Sequence, residues 1–505
     1  MSLIMQNTKP HAAILASPGM GHLIPVIELG KRLVTHHGFH VTIFVVSTDS
    51  SSSAQTQLLN SPNLNFLDII SLPLVDITGL VDPAASIVTK IIVMMRESLA
   101  GLRSTIFSME YRPTVLIADL FGTEALTIAD EFEMLKYVFI ASNAWFLAIT
   151  IYVPTLDKRV EDEHINGQKP LKIPGCEPVR FDDTLDAYLD RTDQVYEEYI
   201  RIGREICMAD GILLNTWEDL EPKTFEALRD QNLLGRVTRV PVYPIGPLAR
   251  QIGPPVLDNQ VLNWLDVQPS ESVIYVSFGS GGTLSAEQTI ELAYGLELSR
   301  QRFIWVLRPP VDKDVSGSFF NAGNGPDGSA SFLPDGFMTR TKKLGRIVHM
   351  WAQQVEILAH PAVGGFLSHC GWNSTLESIL NGVPMITWPL YAEQKMNATL
   401  LSEDLGLAVR PLARPDGVVR REEISKMVRR IMVDKEGYVI RKRMKEAKGK
   451  ALEAVSKGGS SDESLSRVAE DCVISLQSGN RANDHGAWDT RAMHMIRAQA
   501  IDAAY

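Results

Sequence analysis

Residues Trp351 to Gln394 read WAQQVEILAHPAVGGFLSHCGWNSTLESILNGVPMITWPLYAEQ. VGGFLSHC is an apolar run with the length of a buried strand, entered through a Gly-Gly turn, and VPMITWP is a second such run. Between them Gly371-Trp372-Asn373-Ser374 forms an elbow that opens a helix. Strand, helix and strand in so short a span make a βαβ unit, whose two strands must lie parallel in one sheet. An aromatic residue, Trp351, opens the stretch, and an acid beside an amide, Glu393 and Gln394, closes it.

The same rhythm extends outward. HAAILAS, HVTIFVVS, LNFLDIISL, TVLIADL and YVFIAS read as buried strands separated by helix-like spacing, and the pattern restarts after residue 260 with SVIYVSFGS, RFIWVLR and RIVHMW. Two Rossmann-like, doubly wound α/β domains are the economical reading. Between them Pro241–Asn259 carries five prolines and two glycines, a linker composition. The expected division is an N-terminal domain over 1–248, a linker over 249–260 and a C-terminal domain over 261–455. A helix over 456–477 then returns to the first domain, followed by an atypical, disordered tail over 478–505. Val311–Ser331, rich in Gly, Ser, Asn and Asp, reads as a mobile surface loop.

Composition bounds the partners. The chain has 505 residues, 45% of them apolar and 22% charged, as in a globular protein with a large core. A net charge of −11 disfavours nucleic acid, and the short basic run Arg441–Lys445 reads as the solvated face of a helix. Cys176, Cys207, Cys370 and Cys472 are scattered, which fits free thiols in a reducing compartment. No secretory signal opens the chain. Tyr137–Pro154 is mostly apolar, but Ser142 and Asn143 interrupt it, so a strand running into a buried helix is expected rather than a membrane span. A cytoplasmic protein without integral membrane association follows.

Two residues suit acid–base chemistry. The first strand ends in Ser17-Pro18-Gly19-Met20-Gly21-His22, where glycines let a ligand approach the backbone at a helix start. Asp119 ends another buried strand, at the same expected sheet edge. A carboxylate there can orient an imidazole and stabilise its protonated form, although capping the next helix is a second use of Asp119. Ile24 stands where a dinucleotide fingerprint needs its third glycine, which argues against an NAD(P)-dependent oxidoreductase. The pair Tyr391 and Lys395 lies beside no such fingerprint. Each part of the opening stretch suits a portion of a nucleotide sugar: a ring for the base, polar groups at a helix start for phosphates, a carboxylate for ribose and an acid–amide pair for sugar hydroxyls.

Together these motifs, over about His11 to Leu476, resemble the plant family 1 UDP-glycosyltransferases. The resemblance implies the GT-B fold, two Rossmann-like domains facing across a cleft. It implies a His22–Asp119 dyad and an inverting transfer of glucose from UDP-glucose to an acceptor hydroxyl. Trp351 would stack on uracil, Ala352 and Gln354 would hold the base edge and ribose, and Glu377 would accept from ribose hydroxyls. His369, Asn373 and Ser374 would meet phosphate, with Gly371 permitting the turn and Trp372 bordering the sugar. Glu393 and Gln394 would bind glucose hydroxyls. Ser277 and Ser280 in the Gly/Ser loop, Ser142, and the backbone at Gly21 complete the donor side. Gln353 stands where the family usually has proline.

The stretches SPGMGHLIPVIELGKRL, IPGCEPVRFDDTLDAYL and RPPVD are similar to the monolignol and phenylpropanoid branch. Coniferyl or sinapyl alcohol, or the matching aldehydes, is the implied acceptor, with a small phenol such as hydroquinone or a chlorophenol as the alternative. Phe121, Trp145, Phe146, Tyr196, Tyr199 and Met94 are candidates for the acceptor pocket. A monomer needing no cofactor and no metal is expected; the one DxD, Asp312 to Asp314, opens a loop rather than ending a strand. A binding protein that has lost turnover is disfavoured because both His22 and Asp119 are present.

Overall fold

The computed structural model describes residues 9–46, 58–59, 64, 66–82, 84–253, 259–311, 332–414 and 416–484, with side chains to residue 477. The first sheet contains β1 (His11–Ala16), β2 (His40–Val45), β3 (Asp68–Ser71), β4 (Val115–Asp119), β5 (Leu135–Ile140), β6 (Gly211–Leu214) and β7 (Val242–Pro244). The second contains β8 (Val273–Ser277), β9 (Arg302–Leu307), β10 (Gly345–His349), β11 (Val363–Ser368), β12 (Met385–Thr387) and β13 (Ala408–Val409). The orders are β3-β2-β1-β4-β5-β6-β7 and β10-β9-β8-β11-β12-β13, all pairs parallel. Every residue of β1 and β4 is buried, as unbroken apolar strands covered on both faces by helices should be.

Strand order reverses between β1 and β4 and again between β8 and β11. At such a switch point the following loops diverge and leave a crevice beyond the strands' carboxyl ends. The helices that matter to this crevice are α1 (Met20–His37), α2 (Ile87–Ser108), α3 (Ala144–Tyr152), α4 (Gln194–Ile206), α5 (Gln354–Ala359), α6 (Trp372–Asn381) and α7 (Gln394–Thr399). The apolar stretch from Tyr137 is β5 followed by α3, which Asn143 caps through a 2.8 Å bond from Phe146 N. Among the described residues no helix is long and apolar enough to cross a membrane.

Several expectations are corrected. Gly364 and Gly365 lie inside β11, not in a turn, where the register against β8 shifts. A Cβ at Gly364 would collide with the Glu271 backbone, so the strand needs glycine for close approach. The Pro-rich stretch begins inside the first domain: Val242–Pro244 is the edge strand β7, where a missing N–H costs no ladder bond, and Ile245 and Leu248 are buried in the first core. Arg441 of the basic run is buried, donating to the Gly364 and Ile431 carbonyls, while Lys442 and Arg443 stay exposed. The loop over 312–331, with Asp312 and Asp314, lies outside the described residues, as do 254–258 of the linker and 485–505 of the tail.

The described residues end in α8 (Lys435–Val455) and α9 (Ser460–Asp484), so helix continues past Leu476 into the stretch read as tail. Leu465, Val468, Ala469 and Cys472 of α9 join the core beside α1 in the first domain. Tyr243 Oη donates to Asp471 at 3.3 Å, and Ser461 Oγ donates to the Gly246 carbonyl at 2.5 Å. Leu465→Ala, at a position 1% exposed, should therefore destabilise the first domain by about 2–4 kcal/mol in urea unfolding.

Candidate active site

Parallel pairing sets the first pair of groups. Leu15 lies opposite Ala118, so Asp119 ends β4 level with Ala16, where the chain turns through Ser17–Gly19 into α1. Gly19 has φ of 102°, a conformation that favours glycine. His22 Nδ1 stands 2.7 Å from Asp119 Oδ2, and Ser17 N donates to the same oxygen at 3.3 Å. The Asp119 side chain makes no cap bond to the 3-10 turn after it, which corrects the capping alternative. Burial alone would lower the His22 pKa, but the charge and hydrogen bond of Asp119, with the charge of Glu393, outweigh it and raise the pKa. Burial opposes ionisation of Asp119, yet the charge and hydrogen bond of His22, then Ser17, hold its carboxyl below the usual range. A proton fixed on Nδ1 leaves Nε2 of the neutral ring as the basic nitrogen. The Phe121 ring sits 5.2 Å from that imidazole.

The second domain repeats the geometry. Ser277 lies opposite Ser368, which brings the loop after β8 against His369. A Cβ at Gly279 or Gly371 would run into His369 Nε2, so the two glycines form the slot for its ring. Burial, then the charge of Arg308, pushes the His369 pKa down to about 3, and the ring is neutral. Gly371 is the N-cap of α6, which puts Asn373 and Ser374 in its first turn. Gln354 Nε2 donates to Ser374 Oγ at 2.9 Å and to Glu377 Oε2 at 2.7 Å. Burial pushes the Glu377 pKa up to about 7 despite Gln354 and Arg250. Gln353 keeps φ of −73°, a proline-like value, and its Oε1 accepts from Asn259 Nδ2 at 2.6 Å.

Both domains meet in one cleft. His22, Gly21, Ser142, Ser277, Ser280, Trp351, Ala352, Gln354 and His369 line it, as do Gly371, Trp372, Asn373, Ser374, Glu377, Glu393 and Gln394. Asp119 is wholly buried behind His22. Asn373 Nδ2 donates to the Gly21 carbonyl at 3.0 Å, and Ser142 Oγ donates to Glu393 Oε1 at 3.2 Å. Gln394 Oε1 accepts from the amides of Leu390 and Tyr391, which fixes the turn before α7. Trp372 lines the cleft and also ties the domains together: it is 3% exposed and its Nε1 donates to the Asn215 carbonyl at 2.7 Å.

Of the acceptor candidates, Phe121, Phe146 and Tyr199 line the cleft. Met94, Trp145 and Tyr196 do not. Met94 is packed in the core, Trp145 Nε1 is bound to the Glu177 carbonyl, and the Tyr196 hydroxyl is bound to Glu161. Ile87, Val88 and Ile91 of α2 supply the wall instead. Arg250 and Arg308 also line the cleft and were not anticipated. The Arg250 guanidinium lies 5.7 Å from the Trp351 ring and 3.4 Å from Glu356, so the start of the linker is docked on the second domain.

Residues 255–411 match the family model described as UDP-glucoronosyl and UDP-glucosyl transferase. The chain is 56% identical to UDP-glycosyltransferase 72E1 of Arabidopsis thaliana over 473 residues, covering 92% of this chain and 97% of that protein. It is 55% identical to anthocyanidin 3-O-glucosyltransferase 5 of Manihot esculenta, covering 92% and 96%. Among solved structures, TcCGT1 in complex with UDP superposes with a TM-score of 0.87 at 48% identity, covering 92% of this chain and all of that one.

The chain belongs to the plant family 1 UDP-glycosyltransferases. Its two parallel-sheet domains are the GT-B fold, and the oxidoreductase reading is set aside. In the cleft of this UDP-glycosyltransferase, the raised pKa of Glu377 sets the pH at which its carboxyl changes charge. Below pH about 7 its carboxyl mostly holds a proton, so it loses its charge and one oxygen becomes a donor, which weakens it as a partner for ligand hydroxyls. Calorimetric UDP affinity should rise from pH about 6 to pH about 8 with proton release on binding, and Glu377→Gln should flatten that rise.

Proposed function

We propose that this UDP-glycosyltransferase moves glucose from UDP-glucose to a hydroxyl of a phenylpropanoid, a monolignol such as coniferyl or sinapyl alcohol or the matching aldehyde, inverting the anomeric carbon. The observation that carries the reading is the buried His22–Asp119 contact, placed between the apolar wall of Phe121, Phe146, Ile87 and Ile91 and the residues around His369. His22 Nε2 takes the proton of the acceptor hydroxyl. The oxygen attacks C1 opposite the diphosphate, the C1–O bond to UDP breaks, and the α-linked donor gives a β-glucoside. Asp119 stabilises the imidazolium formed. A phenol, with a pKa of about 10, needs only partial proton transfer.

On the donor side, uracil stacks on Trp351 beside Ala352 and Gln354, and ribose lies on Glu377. The diphosphate meets Ser277, Ser280, His369, Asn373 and Ser374 at the start of α6, where backbone N–H groups favour anions. Glu393 and Gln394 face the hexose with Ser142. This scheme runs in the cytoplasm without a metal ion. The glucose donor is supported by Gln394 and by the glucosyl name of the Manihot relative.

The test is turnover of UDP-glucose on coniferyl alcohol and on hydroquinone, with mass and anomeric coupling of the product. The expected result is one added hexose in β linkage on coniferyl alcohol, reduced about 10²-fold or more by His22→Ala. A strong hydroquinone preference would overturn the monolignol assignment, and an α linkage would overturn inversion.

A further inference from the structure

On the reading above, the named phosphate contacts of the second domain carry no charge. His369 is neutral, and Ser277, Ser280, Asn373 and Ser374 are so by nature. Two arginines line the same cleft, Arg250, which is paired with Glu356, and Arg308. Arg308 follows β9, is 9% exposed and lines the cleft. Its Nε and Nη2 both donate to the Met350 carbonyl at 3.1 Å, and Nη1 donates to the Gly282 carbonyl at 3.1 Å. Among the described residues it makes no ion pair; the nearby groups that act on its charge are Tyr391 and Tyr275. Burial pushes its pKa down to about 10, which still leaves it charged at neutral pH.

The two carbonyls belong to different loops. Met350 precedes Trp351 and has φ of 64°, a strained conformation for a residue with a Cβ. Gly282 closes the Gly/Ser loop that starts at Ser277. A buried charge satisfied only by neutral carbonyls is costly to hold, and a group that persists in such a state is explained when an anion arrives beside it. Arg308 lines the same cleft as Ser277, Ser280, His369 and Asn373, an observation separate from its hydrogen bonds.

We propose that Arg308 is a positioning residue with a second, electrostatic role. It clips the Trp351 loop to the Ser277–Gly282 loop and supplies the fixed positive charge that a nucleoside diphosphate meets. The inference rests on the cleft being the UDP-sugar site. It divides the affinity for UDP into a part that needs the clip and a part that needs the charge.

Calorimetry of UDP and of uridine on the full chain separates the two, using wild type, Arg308→Met and Arg308→Lys with matched melting temperatures. Arg308→Met should weaken UDP at least about ten-fold more than uridine, because only UDP loses a charge partner. Arg308→Lys keeps the charge but not the planar fork, so both ligands should weaken while their ratio stays within about three-fold of wild type. UDP affinity unchanged in Arg308→Met, or equal losses for UDP and uridine, would overturn the electrostatic role. If Arg308→Met does not fold, Arg308→Lys with unchanged affinity for both ligands overturns the clip, and a collapsed UDP-to-uridine ratio overturns the charge. Failure of the wild type to bind UDP would instead sink the donor-site reading itself.

Discussion

The cleft depends on where four parallel strands stop. In a parallel sheet all carboxyl ends share one edge, and the register decides which side chains are delivered there. Leu15 opposite Ala118 and Ser277 opposite Ser368 are the two alignments that matter. A slip of one residue between β1 and β4 would move Asp119 by about 3.3 Å and turn its side chain to the other face of the sheet. The 2.7 Å contact with His22 would vanish, and a wholly buried carboxylate would be left with neither imidazole nor the Ser17 amide. The apolar runs that fix the register therefore also fix the His22–Asp119 pair.

Direct contacts hold the two switch points face to face. Trp372 reaches the Asn215 carbonyl, Asn373 reaches the Gly21 carbonyl, and Asn143 Nδ2 donates to Asn397 Oδ1 at 2.6 Å. Farther out, Asp183 receives Arg180 from its own domain and Arg410 from the other, with Thr399 donating to it as well. Several groups at the seam thus serve two ends. Asn373 is a phosphate candidate that also holds the first turn of α1, which bears His22, and Ser142 belongs to the first domain but touches Glu393 of the second. Glu393 in turn contributes to the raised pKa of His22, so the walls that the two domains give the cleft are electrostatically linked.

The long apolar strands were legible because a strand buried on both faces is an unbroken run of β-formers. GILL of β6, VYP of β7 and AV of β13 were not, because so few residues carry no period and their pairing is decided by neighbours in space. His22 and Asp119 were legible as strand-end positions, and the donor stretch as a dense set of unusual residues. Apolar spacing shows which helix face is buried but not whether the buried side chain borders a void or another side chain. That is why Phe146 lines the cleft while its neighbour Trp145 is packed away, and why the tie from Trp372 to Asn215 was not legible. Arg250 and Arg308 were invisible for a different reason: an isolated arginine in a sequence names no partner, and theirs are a ring, a carboxylate and two carbonyls distant along the chain.

The central claim is that Asp119 tunes His22 as the base. The most direct measurement is the pH dependence of kcat/KM for the acceptor, at saturating UDP-glucose, in wild type and Asp119→Asn. Because the Asp119 charge raises the pKa of His22, and the base works only when neutral, the wild-type rate should climb through a midpoint above the ordinary value of 6.5. In Asp119→Asn the climb should move to lower pH while the plateau falls by about 10²-fold or more. An unchanged midpoint in the variant would contradict the account.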